Sequence, residues 1–162
     1  VGNNRQGFTL IELLVVIAIL GILLAYVTFP RKEGVETNRL ANDAVNLLQR
    51  GRYEAIKQNG YTFIRINSDS LELYLDSNAD GALQADTDRR LERLATGSYQ
   101  TPLTLNSNYP SGILRWNPRG LPEKENGALG AGRITIQAQN IAKSICISAA
   151  GRIRIADGGS CS

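Results

Sequence analysis

Residues 7–29, GFTLIELLVVIAILGILLAYVTF, decide the class of this chain. From Phe8 to Phe29 they form a run of 22 residues with a single charge, Glu12. Wound as a helix, such a run extends about 33 Å, enough to cross a bilayer core of roughly 30 Å. It is too long for the apolar centre of an ordinary signal peptide, and no small-x-small cleavage site follows it. The polar stretch before it, Val1 to Gly7, carries Arg5. A cation on that side favours leaving it in the cytoplasm, which sends the rest of the chain outward.

That remainder is long enough for one modest domain with its own core. Across the 162 residues, 43% are apolar and 20% charged, near the averages for folded proteins. A net charge of +3 is too small to mark the whole chain as a nucleic-acid binder. The charge is unevenly placed, however. From Arg133 onward there are four cations (Arg133, Lys143, Arg152, Arg154) against one acid, Asp157, so the C-terminal stretch is locally basic. Histidine is absent, which removes the usual general base and the commonest metal ligand. With two cysteines and no visible nucleophile–base pair, neither a zinc site nor an enzyme is expected.

Beyond Phe29 the periodicity is helical and then β-like. Leu40, Ala44, Leu47, Leu48, Gly51 and Ala55 recur on one face of an amphipathic helix that Asn59-Gly60 stops. Strands are predicted over Tyr61–Ile66, Leu71–Leu75, Ile113–Trp116, Arg133–Gln137, Ser144–Ser148 and Arg152–Ile155. The segment Tyr99–Ser111, with two prolines, reads as a loop holding at most one edge strand. One long helix followed by six or seven short strands is an α+β arrangement, the helix covering antiparallel sheets. The expected divisions are a leader over 1–7, an apolar helix over 8–29, its amphipathic continuation over 30–60 and a β-rich head over 61–162.

Gly7-Phe8-Thr9-Leu10-Ile11-Glu12-Leu13-Leu14-Val15-Val16 resembles the prepilin signature of type IV pilins and type II secretion pseudopilins. The resemblance implies that a prepilin peptidase cuts between Gly7 and Phe8 on the cytoplasmic side and that the new N-terminus is methylated. It implies residence in the bacterial inner membrane, head in the periplasm, before entry into a pilus or pseudopilus among other pilin subunits. Glu12, fifth in the processed chain, would pair with the N-terminal amine of a neighbouring subunit during assembly. A carboxylate that snorkels to the interface, or meets its own amine, is the plainer alternative. Pro30 falls one residue later than the proline common in the family, so its kink is expected one residue later.

Three further segments resemble the GspH/FimT branch: Arg52-Tyr53-Glu54-Ala55-Ile56, Leu114-Arg115-Trp116-Asn117-Pro118-Arg119-Gly120 and Ser148-Ala149-Ala150-Gly151-Arg152-Ile153-Arg154. The first reads most simply as helix-to-sheet packing. The last contains a G-R-x-R element that, in FimT proteins, binds double-stranded DNA during natural transformation. The resemblance therefore implies DNA contact through Gly151, Arg152 and Arg154, with Arg133 and Lys143 as candidates to widen the patch. Guanidinium groups suit phosphates, and such contact needs no base specificity. An ordinary solvated edge strand is the plain alternative.

Two more constellations stand outside that reading. Cys146 and Cys161 would face an oxidising compartment, and a bridge between them would pin the Gly158-Gly159-Ser160 tail. Asp76-Ser77-Asn78-Ala79-Asp80-Gly81 begins like a calcium loop, with oxygen ligands at alternate positions and a glycine at the sharp turn. Its twelfth position is Thr87, so Asp86 or Asp88 would have to supply the final carboxylate, and Asn, Asp and Gly equally form polar turns. Calcium through Asp76, Asn78, Asp80 and Asp86 is the candidate cofactor; no other is expected.

Overall fold

The computed structural model describes residues 9–27 and 32–161. The Gly7–Phe8 junction and the kink expected at Pro30 lie outside the described residues. The chain divides into two units, Val1–Lys32 and Glu33–Ser162. In the first, α1 (Leu10–Val27) is apolar on every side, with Glu12 its one charged residue. No helix among the described residues is long and apolar enough to cross a membrane. The 18 residues of α1 extend about 27 Å.

The second unit holds all of α2 (Lys32–Gln58) but its first residue, and the helix ends where Gly60 donates its amide to the Ala55 carbonyl at 3.1 Å. The face foreseen from the sequence is buried: Leu40, Ala44, Leu47, Leu48 and Ala55 are at most 1% exposed, and Ala41 beside them is fully buried. Each leucine buried in this way contributes roughly 1.5–3 kcal/mol. Gly51 lies mid-helix at a cost of about 1 kcal/mol relative to alanine. A Cβ there would come within 3.1 Å of Ile64 and Leu73, so the glycine lets the helix settle against the sheet.

Among the described residues nine strands follow: β1 (Thr62–Ile66), β2 (Ser70–Leu75), β3 (Arg89–Ala95), β4 (Thr104–Ser107), β5 (Ile113–Trp116), β6 (Pro122–Lys124), β7 (Gly132–Gln137), β8 (Ala142–Ile147) and β9 (Ile153–Asp157). They form two antiparallel sheets, ordered β3-β2-β1-β5-β6 and β4-β7-β8-β9. Alternation places Ile64, Leu71, Leu73, Leu114 and Trp116 of the first sheet inward, and Ile134, Ile136, Ile145 and Ile147 of the second. These side chains and the α2 face make one core. The α+β architecture expected from the sequence is the one observed.

All six predicted strands are present, with ends shifted by two residues or fewer. The edge strand allowed within Tyr99–Ser111 is β4. Two strands were not foreseen. β3, Arg-Arg-Leu-Glu-Arg-Leu-Ala, has neither β-branched residues nor clean alternation, and its register shifts opposite Leu73/Tyr74. Pairing with β2, supported by Arg90 and Arg93 against Glu72, overrides its helix-like composition. β6 is a three-residue edge strand opened by Pro122, the kind of position where a strand proline is tolerated.

Candidate functional site

The three arginines of the C-terminal stretch meet at the outer face of the second sheet. In its register Arg133 of β7 lies opposite Cys146 of β8, and Cys146 lies opposite Arg154 of β9. Directly opposed residues project to the same side. Because Ile134 and Ile145 fill the core, Arg133, Cys146 and Arg154 point away from it. Two strand spacings, about 10 Å, separate the backbones of the two arginines.

Cys146 is bonded to Cys161, with Cα atoms 5.7 Å apart. The bridge holds the tail across β8, and the Arg154 Nη2 donates to the Cys161 carbonyl at 2.5 Å. The disulfide thus forms part of a groove of about 520 Å³ lined by Arg133, Arg152, Arg154, Asn108, Ser148 and Cys161, among others. Among the described residues no carboxylate lines it. Among the described residues, the guanidinium groups of Arg133 and Arg152 have no hydrogen-bond or ion-pair partner; the bonds of these two residues run through their backbones.

Arg152 reaches the groove from a turn. β9 begins one residue later, at Ile153, so the expected strand Arg152–Ile155, with both arginines on one face, is replaced by a turn-and-strand arrangement. Gly151 donates to the Ser148 carbonyl at 2.9 Å, and the Arg152 amide donates to Ser148 Oγ at 3.1 Å. Gly151 has φ +77, the left-handed region where only glycine sits without steric cost. Lys143 does not join the groove. It shares the alternation of Ile145, which puts it on the other face, and its ammonium is bonded to Asp157. Asn108, which sequence reading passed over, does line the groove: its Oδ1 accepts the Arg133 amide at 2.7 Å. Only the fold brings that loop residue beside β7.

The acidic loop uses three of its carboxylates on its own backbone. Asp76 accepts the Gly81 amide at 2.9 Å, and Asp80 accepts that of Ala82 at 2.8 Å. Asp88 accepts the amides of Ser77 and Gln84 at 3.1 and 2.8 Å, a closing role the sequence left open between it and Asp86. Asn78 bonds Asp80, while Asp86 is exposed. Among the described residues no three His, Cys, Asp or Glu side chains come together as a metal centre. The loop is fastened to the first sheet where Arg115 donates to the Gly81 carbonyl at 2.7 Å and to Glu123 at 2.5 Å.

Glu12 has a structural task within its own chain. Its carboxylate accepts the amide and the hydroxyl of Thr9, each at 3.2 Å, while Thr9 Oγ1 accepts the Glu12 amide at 3.3 Å. This is a reciprocal capping box at the start of α1. Its signal is the threonine three residues before the glutamate in Thr9-Leu10-Ile11-Glu12, which the assembly role overshadows in the sequence.

The prokaryotic N-terminal methylation motif matches residues 2–28. The pattern of the type II transport protein GspH matches residues 40–151. The chain is similar to the pilin-like protein PilA1 of Thermus thermophilus, at 27% identity over 94% of this chain and 99% of that protein. The type IV minor pilin FimU of Pseudomonas aeruginosa has a similar fold, with TM-score 0.60 at 18% identity, over 82% of this chain and 100% of the other. The minor pseudopilin EpsH of the Vibrio cholerae type 2 secretion system is also similar, with TM-score 0.56 at 15% identity, over 77% and 99% of the two chains.

Proposed function

The chain belongs to the family of the type II transport protein GspH, and from that premise we propose that it is a minor subunit of a type IV pilus whose head contacts the phosphates of double-stranded DNA. The methylation motif supports processing before Phe8 by a prepilin peptidase. Retention of the apolar helix would then anchor the chain in the inner membrane until it joins a filament of other pilins. Glu12 would meet the amine of a neighbouring subunit there, exchanging its Thr9 bonds for a charged partner.

One observation carries the DNA reading: three arginines line a groove that, among the described residues, no carboxylate lines. Arginine forks match phosphate geometry, and release of counterions drives such contacts regardless of base sequence. The test uses the full chain in detergent micelles with a duplex of arbitrary sequence at low salt. Binding is expected, and the double substitution Arg152→Gln with Arg154→Gln should abolish it. A wild-type chain that ignores the duplex excludes the DNA reading. It would favour the second reading, a type II secretion pseudopilin, which the GspH family match supports. Mass spectrometry of the cellular protein should find Phe8 as a methylated N-terminus; another start contradicts the filament assignment.

The calcium reading stands as a second proposal for the Asp76–Asp88 loop, in competition with the backbone amides that Asp76, Asp80 and Asp88 already hold. Calcium should raise the melting temperature if the loop binds it, and leave it unchanged if the loop is a polar turn.

A further inference from the structure

The three family-like segments of the head meet at one place, and Arg52 of α2 is at its centre. The Arg52 Nη1 donates to the Gly151 carbonyl at 3.0 Å, and its guanidinium carbon lies 5.9 Å from the centre of the Trp116 ring. A Cβ on Gly151 would sit 3.1 Å from the Gly120 carbonyl oxygen, 3.3 Å from the Arg52 guanidinium and 3.4 Å from Trp116. A Cβ on Gly120, which has φ +72, would sit 2.6 Å from Ile56 and 3.0 Å from Arg52. Two glycine turns, one from each sheet, therefore close over α2 with the Arg52 guanidinium against both.

We propose that Arg52 is a positioning residue for the groove: it fixes the Ser148–Arg152 turn so that the Arg152 side chain stays turned to phosphate, without touching phosphate itself. The inference rests on the phosphate reading above and extends it to control of the turn by the helix. Arg52 does not line the groove, while its neighbour through the Gly151 carbonyl, Arg152, does. The Gly151 carbonyl is the backbone group immediately before the Arg152 amide, so a bond to it restrains the peptide plane from which Arg152 departs. A planar fork serves here better than an ammonium, since it can donate to a carbonyl while lying near an indole face.

The test compares Arg52→Gln, Arg52→Lys, Arg152→Gln and the Arg52→Gln/Arg152→Gln pair in the full chain in detergent micelles. It reads duplex affinity together with amide hydrogen exchange. Arg52→Gln should weaken binding about fivefold, as expected when one restraining hydrogen bond is removed. In the Arg152→Gln background the same change should cost nothing further, the sign of two residues acting as a unit. Exchange at the Gly151 and Arg152 amides should accelerate while Ile134 and Ile145 keep their protection, which shows the fold intact. Arg52→Lys should behave like Arg52→Gln. Equal losses in both backgrounds, or full affinity with lysine, would overturn the proposal by making Arg52 an independent phosphate ligand or a mere charge. Should the wild-type chain fail to bind DNA at all, the phosphate reading falls. Unchanged exchange at Gly151 would independently remove the restraint on the turn.

Discussion

On the outer side of the first sheet, Glu72 receives Arg90 at 3.2 Å and Arg93 at 3.4 Å, and Glu123 receives Arg115 at 2.5 Å. Arg65 lies over the Tyr74 ring, 5.3 Å from its centre. On the outer side of the second sheet, Arg133 and Arg152 meet no carboxylate among the described residues, and Arg154 meets a carbonyl. The same residue type thus does opposite work in the two halves of one head. Where arginine is neutralised within the chain it secures an edge strand and a loop; where it is left unpaired, its field reaches outward. Arginine count alone therefore says little about a binding face, and sheet register says much.

The contrast breaks most severely if the shared core is removed. Trp116 is fully buried, and both Gly51 of α2 and Gly151 of the second sheet approach its ring. Trp116→Ala should destabilise the head by about 3–5 kcal/mol, read by chemical denaturation of the full chain. Both sheets should lose protection together; loss confined to one sheet would separate them into independent units. Removing the disulfide tests the second sheet by itself. The bridge spans a sequence separation of 15 residues, so Cys146→Ser should cost about 3 kcal/mol in the chain-entropy model. Duplex affinity should fall with it, because the tail that completes the groove is released.

Smaller effects sharpen the contrast. Lys143→Gln should alter stability by less than about 1 kcal/mol, since its partner Asp157 is 91% exposed and such pairs are weak. Duplex affinity should change less than about twofold, within the usual scatter of surface substitutions. A marked loss of binding would return Lys143 to the patch and contradict its place on the inner-facing alternation. Arg90→Gln should be the quietest of all for binding, with a stability cost below about 1 kcal/mol because Arg93 still meets Glu72.

Much of this was legible in the sequence for reasons that can be named. The α2 face was readable because Leu40, Leu47 and Leu48 repeat at helical spacing, and β5, β7 and β8 because isoleucine, leucine and tryptophan alternate with polar residues. The Cys146–Cys161 bridge was readable from cysteine count. β3 was not, because its charges are satisfied by an earlier strand across a long loop, which local pattern cannot report. The groove was half legible: Arg152 and Arg154 were visible as a pair, whereas the inclusion of Arg133 and the exclusion of Lys143 depend on which residue of β8 lies on which face. A shift of one residue in that register would have reversed both. Arg52 was seen only as packing, since its bond to Gly151 joins positions 99 residues apart.

The unpaired arginines of the second sheet, and not the paired ones of the first, are the groups expected to meet phosphate. The most direct measurement is the slope of log affinity for duplex DNA against log salt in the full chain. It is taken for wild type, for Arg133→Gln/Arg154→Gln and for Arg90→Gln/Arg93→Gln. The second-sheet pair should lower the magnitude of the slope by about one for each phosphate no longer neutralised, and the first-sheet pair should leave it unchanged. Equal reductions from both pairs, or none from the second-sheet pair, would contradict this assignment.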